Sequence, residues 1–254
     1  MAEQVDRRIL GAVRPVDAVT GTPILAPLRI EGTGLTLRRN RSGHYAIMAA
    51  DGLGDHLTAF DDPPAAPPAE SLTFALTVED PRGAWLPRRL AIALPRPWNP
   101  AGGIHDLMQP VAVPLAPSAA RSPSPGWAVV LAIVTDTGGD PVRGALVEVL
   151  PEGGGDRLGW GITHARGEAL VPVPGLPAFR EIENDPDDDE DDDIEIVTAQ
   201  TAVTVRATAL PGGAWPVDPD VLGAGGAALR SATLTPLPIT PGRTDRAPIT
   251  LNMN

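Results

Sequence analysis

Four histidines, His44, His56, His105 and His164, are the side chains of this 254-residue chain whose ordinary pKa suits proton transfer or metal binding near neutral pH. None belongs to an H-E-x-x-H pattern or to a close pair that would offer two imidazoles to one ion. Asp55-His56 and His105-Asp106 are adjacent in sequence, but neighbours in an extended segment point to opposite faces. Adjacency alone therefore makes no carboxylate–imidazole couple, and each histidine is expected on a surface or in a turn. The chain has no cysteine and no lysine. That removes thiolate nucleophiles, thiolate metal sites, disulfides and the lysine of a phosphate-binding loop together. No G-x-S-x-G nucleophile elbow occurs. The expected reading is a non-enzyme with no cofactor.

The densest chemical feature is the stretch 181–195, with 11 acids in 15 residues and the unbroken run Asp187-Asp188-Asp189-Glu190-Asp191-Asp192-Asp193. Such a run repels itself, so an extended, mobile loop between two strands is expected. Two chemistries suit it. Carboxylates are hard ligands of the kind calcium prefers, with Asp187, Asp189, Asp191 and Asp193 as candidate ligands, but the run lacks the sharp-turn glycine of an EF-hand loop. Alternatively, Asp188, Asp192 and their neighbours could meet a basic protein surface. A counterpart of that kind is Leu37-Arg38-Arg39-Asn40-Arg41, where Arg38, Arg39 and Arg41 cluster at an expected turn; Arg88-Arg89 is a smaller cluster. Trp85, Trp98, Trp127, Trp160 and Trp215 could line a sugar platform, but five scattered tryptophans in a chain with nine aromatics read better as core anchors or linker clamps.

The elements that must carry these residues follow from composition. Thirty prolines and 27 glycines interrupt every long candidate helix, and the longest uninterrupted stretches alternate Val, Ile, Leu and Thr in the two-residue period of half-buried strands. An all-β fold is expected. Candidate strands include Leu72–Val78, Leu90–Leu94, 194–197 and Ala202–Ala207. From Pro95 to Pro125 there are eight prolines in 31 residues, which reads as a semi-rigid connector. The expected organisation is a β-sandwich over residues 1–94, a proline-rich linker over 95–125, and a second β-sandwich over 126–254 with the acidic loop at 181–195. Residues 1–125 hold 12 arginines and 12 acids, whereas 126–254 hold eight arginines and 20 acids and supply the whole net charge of −12. With no concentrated basic surface, nucleic acid is not an expected partner. No apolar run reaches the roughly 20 residues of a membrane span, and the first residues carry acids where a secretory signal carries bases. Cytoplasmic synthesis is expected, with release only as part of a larger particle.

The two halves share a pattern. In the first, Leu10–Asp17 leads to Thr20-Gly21-Thr22-Pro23, then Leu28-Arg29-Ile30 and Ser42-Gly43-His44-Tyr45. In the second, Val129–Asp136 leads to Gly139-Asp140-Pro141, then Ala145–Val149 and Arg166–Val171. Strand, Asp/Gly/Pro turn, strand, glycine turn and strand recur in that order, with Gly supplying positive φ and Pro presetting φ at the turn. This pattern resembles the carboxypeptidase-regulatory-like, or transthyretin-like, β-sandwich. Asp136, Gly139, Pro141, Gly144-Ala145-Leu146-Val147-Glu148-Val149, Thr163 and Gly167 occupy the places of that family's turn and strand motifs, and Ile249-Thr250-Leu251 would be the closing strand. The first half keeps Asp17, Gly21, Pro23 and Gly43 without the G-A-x-V core. The resemblance implies two tandem transthyretin-like or Ig-like sandwiches, and an accessory module rather than a catalyst.

The functional expectation is a structural or adaptor component of a large assembly, such as a phage-tail-like or contractile injection particle, whose partners are other protein subunits. An adhesion or carbohydrate-binding module is the alternative. Because the acidic run lacks an organising glycine, titration with calcium should show no submicromolar binding in calorimetry. A submicromolar affinity that disappears when Asp187 to Asp193 are replaced by Ser/Gly would contradict this reading.

Overall fold

The computed structural model describes residues 9–58, 71–96, 109–182 and 195–254. The chain divides into two compact units, one of residues 1–115 with 216–218, the other of 116–215 with 219–254. Strands dominate both, and among the described residues each of the two helices has five residues.

In the first unit, β1 (Gly11–Asp17), β2 (Arg29–Gly32), β3 (Leu35–Arg39), β4 (Tyr45–Ala50), the short helix α1 (Gly54–Thr58), β5 (Leu72–Glu79), β6 (Arg88–Leu94) and β7 (Val111–Leu115) follow in order. They form two sheets, β3-β4-β1-β7 and β2-β5-β6. Alternate residues of both sheets, among them Val13, Ile47, Leu76, Val78, Leu94 and Val113, are buried in one core. In the second unit, β8 (Ala128–Asp136), β9 (Leu146–Pro151), β10 (Gly159–Ile162), β11 (Glu168–Val173), β14 (Thr201–Ala209), α2 (Pro219–Gly223), β15 (Arg230–Ile239) and β16 (Thr244–Leu251) build the sheets β11-β8-β16 and β10-β9-β14-β15. Between β11 and β14 lie β12 (Phe179–Ile182) and β13 (Glu195–Thr198), which pair only with each other. The second core is almost entirely Val, Ala, Ile and Leu. Complete burial of each Val contributes about 1.5–3 kcal/mol, so many small aliphatics replace the few large aromatics the chain lacks.

Both units close in the same way. The last strand runs parallel to the first, with Asp17 opposite Leu115 in β1–β7 and Asp136 opposite Leu251 in β8–β16. A second neighbour runs antiparallel, β4 on β1 and β11 on β8. The third strand differs. β3 pairs with β4, whereas β10 pairs with β9. Gly159 and Gly161 make the second arrangement compatible with close packing, because a Cβ on Gly159 would stand 2.5 Å from the Pro172 carbonyl oxygen on β11.

The repeated turn residues hold these strands in place. At the end of β8 the Asp136 carboxylate accepts the amides of Gly138 and Asp140 at 2.8 and 2.9 Å, and Pro141 bridges back to Thr135. At the end of β1 the Asp17 carboxylate accepts the Val19 amide at 2.9 Å, and Pro23 bridges back to Val16. Thr163, fully buried, donates to the Val142 carbonyl at 2.6 Å and accepts the Ala145 amide at 2.8 Å. In the first unit the buried Tyr45 hydroxyl does similar work, accepting the Leu28 amide and donating to the Leu28 carbonyl, both at 2.8 Å. These motif residues are architecture.

Two expectations change. The proline-rich stretch 95–125, expected as a connector, carries β7, whose Val113 and Leu115 are buried in the first core. Pro114 is tolerated because β7 is an edge strand and needs backbone donors on one side only. Residues 97–108 of that stretch lie outside the described residues. Likewise Arg38 and Arg39, expected at a turn, belong to strand β3, and only Arg41 lies in the turn that follows. Edge placement also accounts for Pro172 in β11, Pro236 and Pro238 in β15 and Pro248 in β16.

Gly167 has φ of 73°, and a Cβ there would stand 2.4 Å from the Val134 carbonyl oxygen, whereas Gly175 has φ of 79° with open space around it. Gly175→Ala should therefore cost about 1–2 kcal/mol for the left-handed backbone alone. Gly167→Ala adds a backbone collision and should cost at least about 3 kcal/mol. Urea denaturation of the two variants checks the order, and equal costs would contradict the close approach.

Candidate functional site

Cross-strand register places the best-built polar cluster of the described residues on the outer face of the sheet β10-β9-β14-β15. Val147 and Val149 of β9 face the core, so Glu148 between them faces outward. Its direct neighbours in register are Trp160 on β10 and Arg206 on β14, and Thr233 on β15 stands opposite Arg206. Arg206 donates through Nε and Nη2 to Glu148 Oε2 at 3.1 and 2.6 Å. From the loop before β10, Arg157 donates through Nη1 to Glu148 Oε1 at 3.0 Å, with its guanidinium carbon 5.3 Å from the centre of the Trp160 ring. The carboxylate side chain is only 7% exposed, whereas the arginine side chains are about 40% exposed. Two guanidinium groups on one carboxylate leave one positive charge in surplus. On the same face, Thr204 donates to Thr235 at 2.9 Å and Thr208 bonds Ser231 at 2.9 Å.

The residues singled out by sequence fall elsewhere. Asp187, Asp188, Asp189, Asp191, Asp192 and Asp193 lie outside the described residues. The strands on either side of them, β12 and β13, pair antiparallel with Phe179 opposite Thr198 and Ile182 opposite Glu195. The Ala199 amide extends the pairing to the Ala178 carbonyl at 2.9 Å. Phe179 is 67% exposed. Arg38, Arg39 and Arg41 do not form one patch. Arg38 pairs with Ala46 and Arg39 with Tyr45, and adjacent strand residues point to opposite faces. Arg39 donates through Nη2 to the Leu25 carbonyl at 2.6 Å, beside a Leu25 side chain that is 64% exposed. Arg88 is buried in the first unit, donating to the Pro114 carbonyl at 2.9 Å and lying 3.6 Å from the Asp218 carboxylate.

The histidines and tryptophans are distributed among structural contacts. His44 sits in the turn before β4, where its amide donates to the Asn40 side chain at 2.9 Å and its Nδ1 lies 3.0 Å from the Ser42 hydroxyl. His164 occupies the corresponding turn before β11, 3.4 Å from Glu168. His56 lies on α1, and partial burial holds its imidazole below the usual value. His105, Asp106 and Trp98 lie outside the described residues. Trp85 packs on the first core, and Trp215 lies under the Arg143 guanidinium, 4.1 Å from the ring centre. Among the described residues no group of three or more His, Asp or Glu side chains is gathered as a metal site. No helix among them is long and apolar enough to cross a membrane.

Glu148 escaped sequence reasoning because its partners come from 9 and 58 residues away, and only register brings them together. The available signal was a lone acid at an outward position of an otherwise apolar strand. Comparison with known families and with curated proteins finds no match to this chain.

The geometry predicts unequal coupling. Arg206 makes two bonds to Glu148 from a neighbouring strand and Arg157 makes one from a loop. A double-mutant cycle in urea should give about 1–2 kcal/mol for Glu148–Arg206 and under about 1 kcal/mol for Glu148–Arg157. The reverse order would show that the loop arginine anchors the cluster.

Proposed function

We propose that the protein is a non-enzymatic structural or adaptor subunit of a large, cytoplasmically assembled complex of the phage-tail-like or contractile-injection kind, built from transthyretin-like β-sandwich units. The observation that carries this reading is the β12–β13 ribbon. It belongs to neither core-forming sheet of its unit, exposes Phe179, and is joined through the most acidic stretch of the chain. A two-stranded ribbon is marginally stable by itself in water, and an exposed aromatic on it contributes nothing to its own unit's core. Both features make sense where a partner subunit covers the ribbon: apolar contact supplies affinity and the acids steer the encounter with a basic neighbour. The repeated Asp/Gly/Pro turns with their bonding to the strand ends support the transthyretin-like reading.

A carbohydrate-binding role fits less well, because it needs tryptophan faces open to solvent. Among the described residues, Trp160 is 9% exposed with Arg157 beside its ring, Trp215 lies under Arg143 and Trp85 packs on the first core, which leaves Trp127 half-buried by itself.

The test is the size of the native assembly, read by sizing and electron microscopy. Phe179→Ser should leave stability within about 0.5 kcal/mol, because the side chain is already exposed, yet weaken assembly about tenfold or more. Removing the acids of 181–195 should weaken it in a salt-dependent manner. A monomer in the native extract, or assembly indifferent to both changes, would overturn the reading.

A further inference from the structure

The Glu148 cluster has the makings of a recognition site. Arg157 and Arg206 satisfy one sunken carboxylate with three donated bonds, whereas each guanidinium carries five N–H donors. The other donors belong to side chains that are about 40% exposed. Thr233 and Thr235, both exposed on β15, extend the band with hydroxyl groups. The row from Trp160 through Glu148 and Arg206 to Thr233 crosses four strands, or about 14 Å at ordinary strand spacing. That span matches several residues of an extended peptide. The surplus positive charge lies in a half of the chain that holds eight arginines against 20 acids, so it is a local exception to its surroundings.

We infer that this band is a docking site for an acidic peptide segment of a partner subunit, whose carboxylates take the free donors of Arg157 and Arg206 while Glu148 holds both guanidinium groups in place. The inference rests on the assembly reading and names the partner's chemistry. Guanidinium forks match carboxylates in planar pairs, and here their orientation is set before the ligand arrives. Glu148 also competes with the ligand. Its removal therefore strengthens binding.

The probe is a hexa-aspartate peptide titrated into the full chain, followed by NMR at the Trp160 indole N–H and the arginine Nε–H groups. Inorganic phosphate is titrated at equal ionic strength beside it. Expected are shifts at Trp160 and Arg206, affinity about five- to tenfold lower in Arg157→Gln, and affinity about threefold or more higher in Glu148→Gln. Thermal melts confirm that both variants are folded. Binding seen only after Asp187 to Asp193 are replaced by Ser/Gly would make the chain's own acidic run the occupant and overturn docking of a partner segment. Equal binding by all three proteins, shifts confined to Arg38 to Arg41, phosphate binding as tight as the peptide, or no binding in either form would each overturn the proposal. Sizing of the same samples separates the two readings. Peptide binding by a protein that stays monomeric overturns only the assembly role, and assembly without peptide binding overturns only this site.

Discussion

Each unit depends on a parallel pair between its first and last strands. Parallel neighbours cannot be joined by a tight turn, so everything between β1 and β7, and between β8 and β16, is a crossover that must finish before the sheet closes. The closing contacts are distant in sequence, and their loop entropy is recovered only when the whole core forms. The register is the same in both, an aspartate opposite a buried leucine. From that aspartate the chain turns through the Asp/Gly/Pro bend into the other sheet, so one residue both ends the closing strand pair and starts the crossover. The hydrogen bonds of Thr163 and Tyr45 then hold the turn to the strand that follows.

The sequence revealed strands wherever alternation was uninterrupted: β1, β5, β6, β8, β9, β14 and the end of β16 stand close to where the pattern put them. The strands it concealed share a cause. β7 and β15 contain proline, β10 reads Gly-Trp-Gly-Ile, and β3 ends in two arginines. Each is an edge strand; in β3, β7 and β15 one row of backbone donors is not needed, so residues that signal a break elsewhere are admitted, whereas the glycines of β10 answer close packing against β11. The alternation rule is a rule about burial, and edges are where burial is incomplete. The site was less legible for a related reason. The acid at position 148 is visible, but its meaning depends on which residues stand beside it, and register is a property of the assembled sheet.

The surface combines two opposite charge devices in one half of the chain. Eleven of its 20 acids are concentrated in a single stretch, while Arg157 and Arg206 overcompensate the one acid that the sheet nearly buries. A run of like charges repels itself, and the Glu148–Arg157 pair contributes under about 1 kcal/mol, so beyond the Glu148–Arg206 bonds neither device serves stability well. In the proposed assembly both would orient a partner, with Phe179 as the apolar contact that charge alone cannot supply.

Native-state amide hydrogen exchange tests the closure most directly, because it reports the opening free energy of each strand separately. If the last strands complete the cores, the slowest amides of β7 exchange with the same free energy as those of β1, and the slowest of β16 with those of β8. Exchange of β7 or β16 at loop-like rates, while β1 and β8 stay protected, would show that the closing strands are accessories and would contradict the account.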